Sequence, residues 1–337
     1  MLQTFADILD IYHGKNQKKV ENPNGKYPIY GSGGIMGYAD DYLCPENTVV
    51  IGRKGTINKP IYVEEPFWNV DTAFGLVARK DILNPKYLYY FCKQFDFEKL
   101  NTTVTIPSLT KANLLGITLE VPEIDKQIEV ATTLDQMNQI IRMRQKELEE
   151  LDNLIKARFV EMFGDPIFNS KRLPTTDFIN VVKLQRGYDL PVQNRDSDGT
   201  VPVYGSNGIL DYHIESMAEN GVITGRSGTI GKVTYCKGKY WPLNTTLFSV
   251  DTKENNIIYL AYLLEYYDLS RFYNGTGVPT LNRNVVHKKQ IITVPRVEQD
   301  AFADFVEKVD KLKFAIQTSL NETQTLMDSL MHKYFIL

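Results

Sequence analysis

Apolar residues recur every three to four positions across residues 123–163. Val130, Leu134, Met137, Ile141, Leu148, Leu151, Ile155 and Met162 form a stripe that only Arg144 and Arg158 interrupt. Charged residues, such as those of "RQKELEELD", fill the other positions. Pro122 precedes the stripe and Gly164-Asp165-Pro166 follows it, a start and a stop for one long helix. Residues 296–337 repeat the pattern through Phe302, Phe305, Val309, Leu312, Ile316, Leu326 and Leu330, with Ser319 and Thr323 breaking it. At 1.5 Å per residue, each helix of about 40 residues is about 60 Å long. An apolar seam needs a partner. The two segments therefore pair antiparallel, with Leu134, Ile141, Leu148 and Leu151 against Phe302, Val309, Leu312 and Ile316. The competing arrangement lays each helix on its own domain.

The remaining segments, 1–122 and 164–295, read differently. Short β-rich runs ("NTVVIGR", "KPIYVE", "GVITGR", "KVTYC") are punctuated by Gly, Asn and Pro. One helical stretch follows in each, "NPKYLYYFCKQF" and "NIIYLAYLLEYY". Each segment is thus expected to be an α+β domain with a twisted sheet and exposed loops.

The two halves are copies. "YPIYGSGGIMGYADDY" from Tyr27 returns as "VPVYGSNGILDYHIES" from Val201, and "IGRKGTINK" from Ile51 as "TGRSGTIGK" from Thr224. "FWNVDTAF" returns as "YWPLNTTL", "IPSLTKAN" as "VPTLNRNV", and "LDNLIKARF" as "MDSLMHKYF". The offset is about 172 residues at the start of the helices and 176 near their ends, which places about one extra turn in the second helix. This period is far longer than that of a solenoid repeat. A whole domain with its trailing helix is duplicated, and two similar surfaces in one chain suit a bipartite target.

Charge permits nucleic-acid binding without indicating it. The net charge is −3, and residues 1–122 and 164–295 are close to neutral, so any DNA contact must come from local patches. No apolar run is long enough to span a membrane, and the N-terminus lacks a secretory pattern. Cys44, Cys92 and Cys236 show no metal or disulfide spacing, as expected of reduced, buried thiols in a cytoplasmic protein.

Catalytic signatures fail one by one. In "GRSGTIGK" five residues rather than four separate Gly225 from Gly231, and Val233 stands where a phosphate loop needs Ser or Thr. In "GSGGIMG", Met36 replaces the last glycine of a dinucleotide fingerprint. No Pro-Asp doublet anchors a nuclease metal site, no Asn/Asp-Pro-Pro-Tyr/Phe string marks an amino-methyltransferase, and His13, His213, His287 and His332 are scattered. The chain reads as having no chemistry of its own and no metal site.

What the copies share suits recognition. Tyr30-Gly31-Ser32 and Tyr204-Gly205-Ser206-Asn207 open a Gly-rich turn that sets an aromatic and small polar groups at a surface as candidate DNA contacts, the plain alternative for each tyrosine being to pack beneath the turn. The Gly-Arg-x-Gly turns present Arg53-Lys54 and Arg226-Ser227 on backbone that glycine lets approach a ligand. An arginine there can clamp phosphate or reach a guanine edge; a structural salt bridge is the competing account. "TVTIPSLTKANL" and "TGVPTLNRNVV" add Lys111, Asn282 and Arg283 in loops rich in groups that bond phosphates and base edges. Trp68, Trp241 and most tyrosines are expected in cores.

The duplicated "YPIYGS-GGIMGY" turn, "GRKGT", "NPKYLYYF" and "IPSLTKANL–ITLEVPEIDKQ", followed by a long helix and "KARFVEMFGDP", resemble the specificity subunit of type I restriction–modification enzymes. The resemblance covers essentially the whole chain, twice. It implies two target-recognition domains (1–122 and 164–295), separated by a long antiparallel two-helix coiled coil (123–163 and 296–337) with pseudo-two-fold symmetry. Each domain would read one half of an asymmetric, split double-stranded DNA site. The helices would dock two methyltransferase subunits, which bind S-adenosylmethionine and methylate adenine. Separate ATP-driven restriction subunits, with magnesium, would translocate and cut. Against many members the chain is short before its first domain, so part of an N-terminal element is expected to be missing. A scaffold or inactive allele that binds methyltransferase subunits without reading DNA is the rival reading.

Overall fold

The computed structural model describes residues 1–101, 107–196, 198–274 and 279–335. The chain divides into two compact units, neither of them one continuous stretch: Met1–Lys146 with Gln317–Leu337, and Glu147–Ile316.

The first unit runs β1 (Leu2–Thr4), α1 (Phe5–Ile8), β2 (Leu9–His13), β3 (Tyr27–Gly31), β4 (Gly34–Ala39), β5 (Thr48–Gly52), β6 (Ile61–Val63), β7 (Trp68–Asn69), β8 (Ala73–Ala78), α2 (Pro85–Gln94), α3 (Lys111–Leu115), β9 (Thr118–Glu120) and the start of α4 (Ile124–Phe163). Its sheets have the orders β2-β8-β5-β6, β4-β3-β7 and β1-β9. The unbroken apolar run of β5 follows from burial on both faces. Val49 and Ile51 join the core beneath α2, whereas Val50 joins a second core with Cys44, Val63, Phe67 and Ala73. Asn84 caps α2 by accepting hydrogen bonds from the backbone N–H groups of Lys86 and Tyr87, and Pro85 opens its first turn. The buried face of α2 meets Val130, Leu134, Met137 and Ile141 of α4, together with Met327, Met331 and Phe335 from the end of the chain.

The second unit repeats this plan: β10 (Thr175–Asp177), β11 (Lys183–Arg186), β12 (Val201–Gly205), β13 (Gly208–His213), β14 (Ala218–Gly225), β15 (Val233–Pro242), β16 (Thr246–Asp251), α5 (Ile257–Tyr266), β17 (Tyr273–Asn274), β18 (Thr280–Leu281), α6 (Arg283–Val286), β19 (Gln290–Ile292) and α7 (Arg296–Tyr334). One six-stranded sheet, β11-β16-β14-β15-β12-β13, replaces the first two sheets of the other unit. The end of α4 and the start of α7 pack here in antiparallel order. Lys313 pairs with Asp152 at 2.5 Å, Arg158 lies over the Phe305 ring, and Phe159 and Phe163 both meet Phe302.

The seam on α7 needs correction. Leu312 is 57% exposed and Leu326 55% exposed, so neither lies in it. Phe302, Val306 and Val309 are buried, and the next position at that spacing is Lys313, whose ammonium reaches Asp152. Met327 and Met331 are buried near the far end. Reading apolar identity alone passed over the lysine and slipped by one residue. Leu148, Leu151 and Ile316 are half-buried, while Leu134 and Ile141 are fully buried. The Ser319–Thr323 interruption stays inside the helix, where the Thr323 hydroxyl donates to the Ser319 carbonyl at 2.8 Å.

One buried polar side chain joins helix to domain in each unit. Gln127 accepts from the Asn84 N–H at 2.8 Å and donates to the Ile82 and Pro122 carbonyls at 2.9 and 2.8 Å. Gln299 accepts from the Asn256 N–H at 2.9 Å and donates to the Val294 carbonyl and the Asn255 side chain. Among the described residues no helix is long and apolar enough to cross a membrane. All three cysteines are buried and unpaired, and Trp68 and Trp241 are buried as expected.

Candidate nucleic-acid interface

Three strings that are far apart in sequence meet around one glycine in each unit. In the first unit that residue is Gly52, the last of β5. A Cβ there would fall 2.0 Å from the Thr56 carbonyl oxygen and 3.1 Å from Ser32 Cβ, so only glycine lets the Arg53 turn fold back under the β3–β4 hairpin. Gly225 is the counterpart, with 1.6 Å to the Thr229 carbonyl and 3.3 Å to Ser206 Cβ. The turns close on Gly55 and Gly228, at φ +80° and +88°.

The third string pairs with the same turn. The Gly55 N–H donates to the Pro107 carbonyl at 3.1 Å, and the Leu109 N–H to the Arg53 carbonyl at 2.9 Å. In the second unit Gly228 donates to Pro279 at 3.3 Å and Leu281 to Arg226 at 2.8 Å. The earlier parts of these strings, residues 102–106 and 275–278, lie outside the described residues.

A fourth shared string has a role that sequence reasoning missed. The carbonyls of "NVDTAF" and "PLNTTL" hold the arginine turn. The Arg53 N–H donates to the Thr72 carbonyl at 2.7 Å and its Nη1 to the Asp71 carbonyl at 3.4 Å. The Arg226 N–H donates to Thr245 at 2.8 Å and its Nη1 to Asn244 at 3.2 Å. Neither arginine forms an ion pair among the described residues, so the salt-bridge account drops out. Each arginine is partly exposed, with one guanidinium nitrogen tied to main chain, and the Arg53 guanidinium also lies 6.0 Å from the centre of the Phe74 ring. The repetition of these strings was the available signal; that their carbonyls mattered was not.

Several predicted residues sit at this face and others do not. Ser32, Arg53 and the exposed Lys54 come together in the first unit, and Ser206, Asn207, Arg226 and Ser227 in the second. The Lys232 ammonium donates to the Asn207 carbonyl at 3.1 Å, which ties the second hairpin down. Tyr30 and Tyr204 must be withdrawn as contacts. The Tyr30 ring meets Phe67 edge-on at 5.3 Å, and Tyr204, only 7% exposed, meets Tyr240 at 6.0 Å. Burial raises the pKa of both phenols. Lys111 is also withdrawn, because its ammonium donates to the Ile11 carbonyl at 2.9 Å and fastens α3 to β2. Asn282 is exposed but uses its side-chain oxygen to cap α6, while Arg283 opens that helix, partly buried.

The arrangement offers cations, hydroxyls and amides on a rigid hydrogen-bonded frame. It can hold phosphates and meet base edges. Among the described residues no three His, Cys, Asp or Glu side chains gather as a metal site.

The model of a family described as the type I restriction modification DNA specificity domain matches residues 3–153 and again residues 176–324. The chain is 23% identical over 332 residues to a Haemophilus influenzae protein provisionally named a type I restriction enzyme specificity subunit, covering 88% of this chain and 83% of that one. A Mycoplasma pneumoniae protein, provisionally named a type I specificity subunit, is 21% identical over 298 residues, covering 82% and 80%. The solved S subunit of a type I restriction–modification system from M. genitalium matches with a TM-score of 0.72 at 18% identity, over 99% of this chain and 96% of its own. A chain solved in work on complex assembly and conformational transition of the type I R-M system gives 0.61 at 13% identity, over 99% and 97%. Such structural likeness speaks to fold, while the doubled family match speaks to kinship. Two copies of one specificity domain, each built on the same arginine-centred frame, make this chain a member of the type I restriction–modification DNA specificity family, with the role of recognising a DNA target.

Proposed function

We propose that the chain is the non-catalytic specificity subunit of a cytoplasmic type I complex, and that the arginine-centred face of each unit reads one half of a split, asymmetric double-stranded DNA site. The observation that carries this reading is the convergence of the same separated strings on one glycine, twice. The loops around the two frames differ in sequence, so the half-sites differ. Methylation belongs to two methyltransferase subunits that hold S-adenosylmethionine, and cleavage to restriction subunits that use ATP and magnesium. The absence of a recognisable catalytic motif in this sequence and the type I assembly from which one structural relative comes support that division.

The test is to map methylated adenines genome-wide in cells carrying the complete system, then to exchange residues 1–122 for the equivalent domain of a relative. One half of the methylated motif should change while the other stays. Change in both halves, or in neither, would refute independent reading by the two units.

A further inference from the structure

The two faces hold identical and non-identical side chains on main chain with corresponding hydrogen bonds, and this separates two kinds of DNA contact. The identical ones are Ser32 with Ser206 and Arg53 with Arg226. Both arginines are held by the same backbone bonds, 2.7 and 2.8 Å at the N–H and 2.9 and 2.8 Å at the carbonyl. Both also spend one guanidinium nitrogen on the same main-chain carbonyl position. Of the two, only the Arg53 guanidinium lies over a ring among the described residues, that of Phe74, where the second unit has Leu247. The shared main-chain bonds nonetheless bring the same donor type to the same place in both domains. Such a donor suits what the halves have in common, the sugar–phosphate backbone, and not what distinguishes them.

The non-identical positions lie directly beside these. Lys54 corresponds to Ser227, and their backbone N–H groups donate to the equivalent carbonyls of Thr72 and Thr245 at 3.3 and 3.2 Å. Gly33 corresponds to Asn207 at the hairpin tip, both exposed, and the glycines that follow have φ of +120° and +123°. Main chain is therefore matched at both places while the side chain changes. Lysine against serine and hydrogen against carboxamide are changes in hydrogen-bonding pattern, which is what base edges discriminate.

The geometry points to a division of labour, resting on the DNA-reading role proposed above. Arg53 and Arg226 clamp phosphate and set register, while residue pairs 54/227 and 33/207 determine which bases each unit accepts.

The experiment uses the full chain in complex with its modification subunits and a DNA library randomised over both half-sites, with methylation and binding read at several salt concentrations. Lys54→Ser should change the preferred bases of one half-site and leave the other alone. A Cβ at Gly33 meets nothing within 4 Å, so Gly33→Asn is accommodated in space and should likewise move one half-site. Arg53→Ala should weaken binding to every sequence alike, roughly tenfold at moderate salt, and reduce the salt slope by about one, with preferred bases unchanged. Arg53→Lys should restore much of that binding, since a point charge serves a phosphate but not a bidentate base contact. If Arg53→Ala alters the preferred bases, or Lys54→Ser and Gly33→Asn both leave them unaltered, the division is wrong. If none of the variants changes affinity or preference, the assignment of this face to DNA falls as well. Unfolding midpoints of each variant within a degree or two of the parent exclude a folding defect, and Arg53→Lys serves where Arg53→Ala fails that check.

Discussion

The two units carry the same arginine-centred frame on sheets that are built differently. In the second, β15 runs unbroken for 10 residues and joins all six strands into one sheet. In the first, the equivalent stretch is cut into β6 and β7 by Glu64-Glu65-Pro66, and Pro66 has no N–H to continue a ladder. A cavity of about 720 Å³ opens beside the break, lined by Tyr62, Tyr90, Asp135 and Arg142 among others. In the second unit the corresponding residues line two smaller pockets, about 130 Å³ beside Tyr235 and Tyr262 and about 190 Å³ beside Lys237 and Glu307. Around Arg53 and Arg226, by contrast, corresponding backbone bonds differ by only a tenth or two of an ångström. Sheet continuity differs between the units, whereas the carbonyls that hold the arginine turn keep their places.

The largest expected effect tests whether both units lean equally on the long helices. Phe159 is fully buried against Phe163, Tyr259, Tyr266 and Phe302. Its counterpart Phe335, near the chain end, meets Tyr87 and Phe91. Phe159→Ala should cost about 3–5 kcal/mol, and Phe335→Ala less, because Phe335 meets two rings rather than four. Denaturant unfolding of the full chain followed at both units would reveal this, and equal losses would make the two anchors equivalent.

A smaller effect concerns the buried glutamines. Gln127→Leu or Gln299→Leu strands one backbone donor and at least one backbone carbonyl, at about 1–3 kcal/mol each. A calorimetric scan should show the two variants lowering stability by similar amounts. A neutral result for either would mean that its helix does not depend on the clamp.

The smallest effect separates the units by pH. His287 Nε2 accepts the Leu184 N–H at 3.0 Å, and Leu115 stands at the corresponding place in the first unit. Burial, with Arg283 and Lys183 nearby, holds the imidazole below its ordinary 6.5. A depressed histidine binds fewer protons folded than unfolded. Its contribution is therefore complete above the unfolded value and is lost as pH falls through the folded one. The thermal midpoint of the second unit should drop between pH 7 and 5. His287→Leu should start lower, having stranded an N–H, but fall less steeply; parallel slopes would remove His287 from the acid response.

Much of this architecture was legible in the sequence because duplication supplies an internal control. The capped helices at Asn84 and Asn256, the strands of the repeated runs and the first-helix seam all follow from spacing. Tyr30 and Tyr204 were misread because an aromatic next to a glycine turn looks the same whether it faces solvent or core. Only the parity of strand pairing decides, and each hairpin carries a bulge there, between Ile29 and Tyr30 or Val203 and Tyr204. Lys111 was misread because its partner lies 100 residues earlier, on a carbonyl that no pattern marks. Lys313 was missed because periodicity counts apolar residues and not ammonium groups that reach past a seam.

The glutamine joint has a consequence for how such a chain can be altered. Gln127 takes its N–H and both carbonyls from main chain, and Gln299 all but one of its partners. Main-chain groups are common to every amino-acid sequence. The hydrogen bonds of this joint therefore place no demand on side-chain identity beyond an N–H at positions 84 and 256, so a foreign module following the same path keeps them, while its apolar face must still fit the stalk.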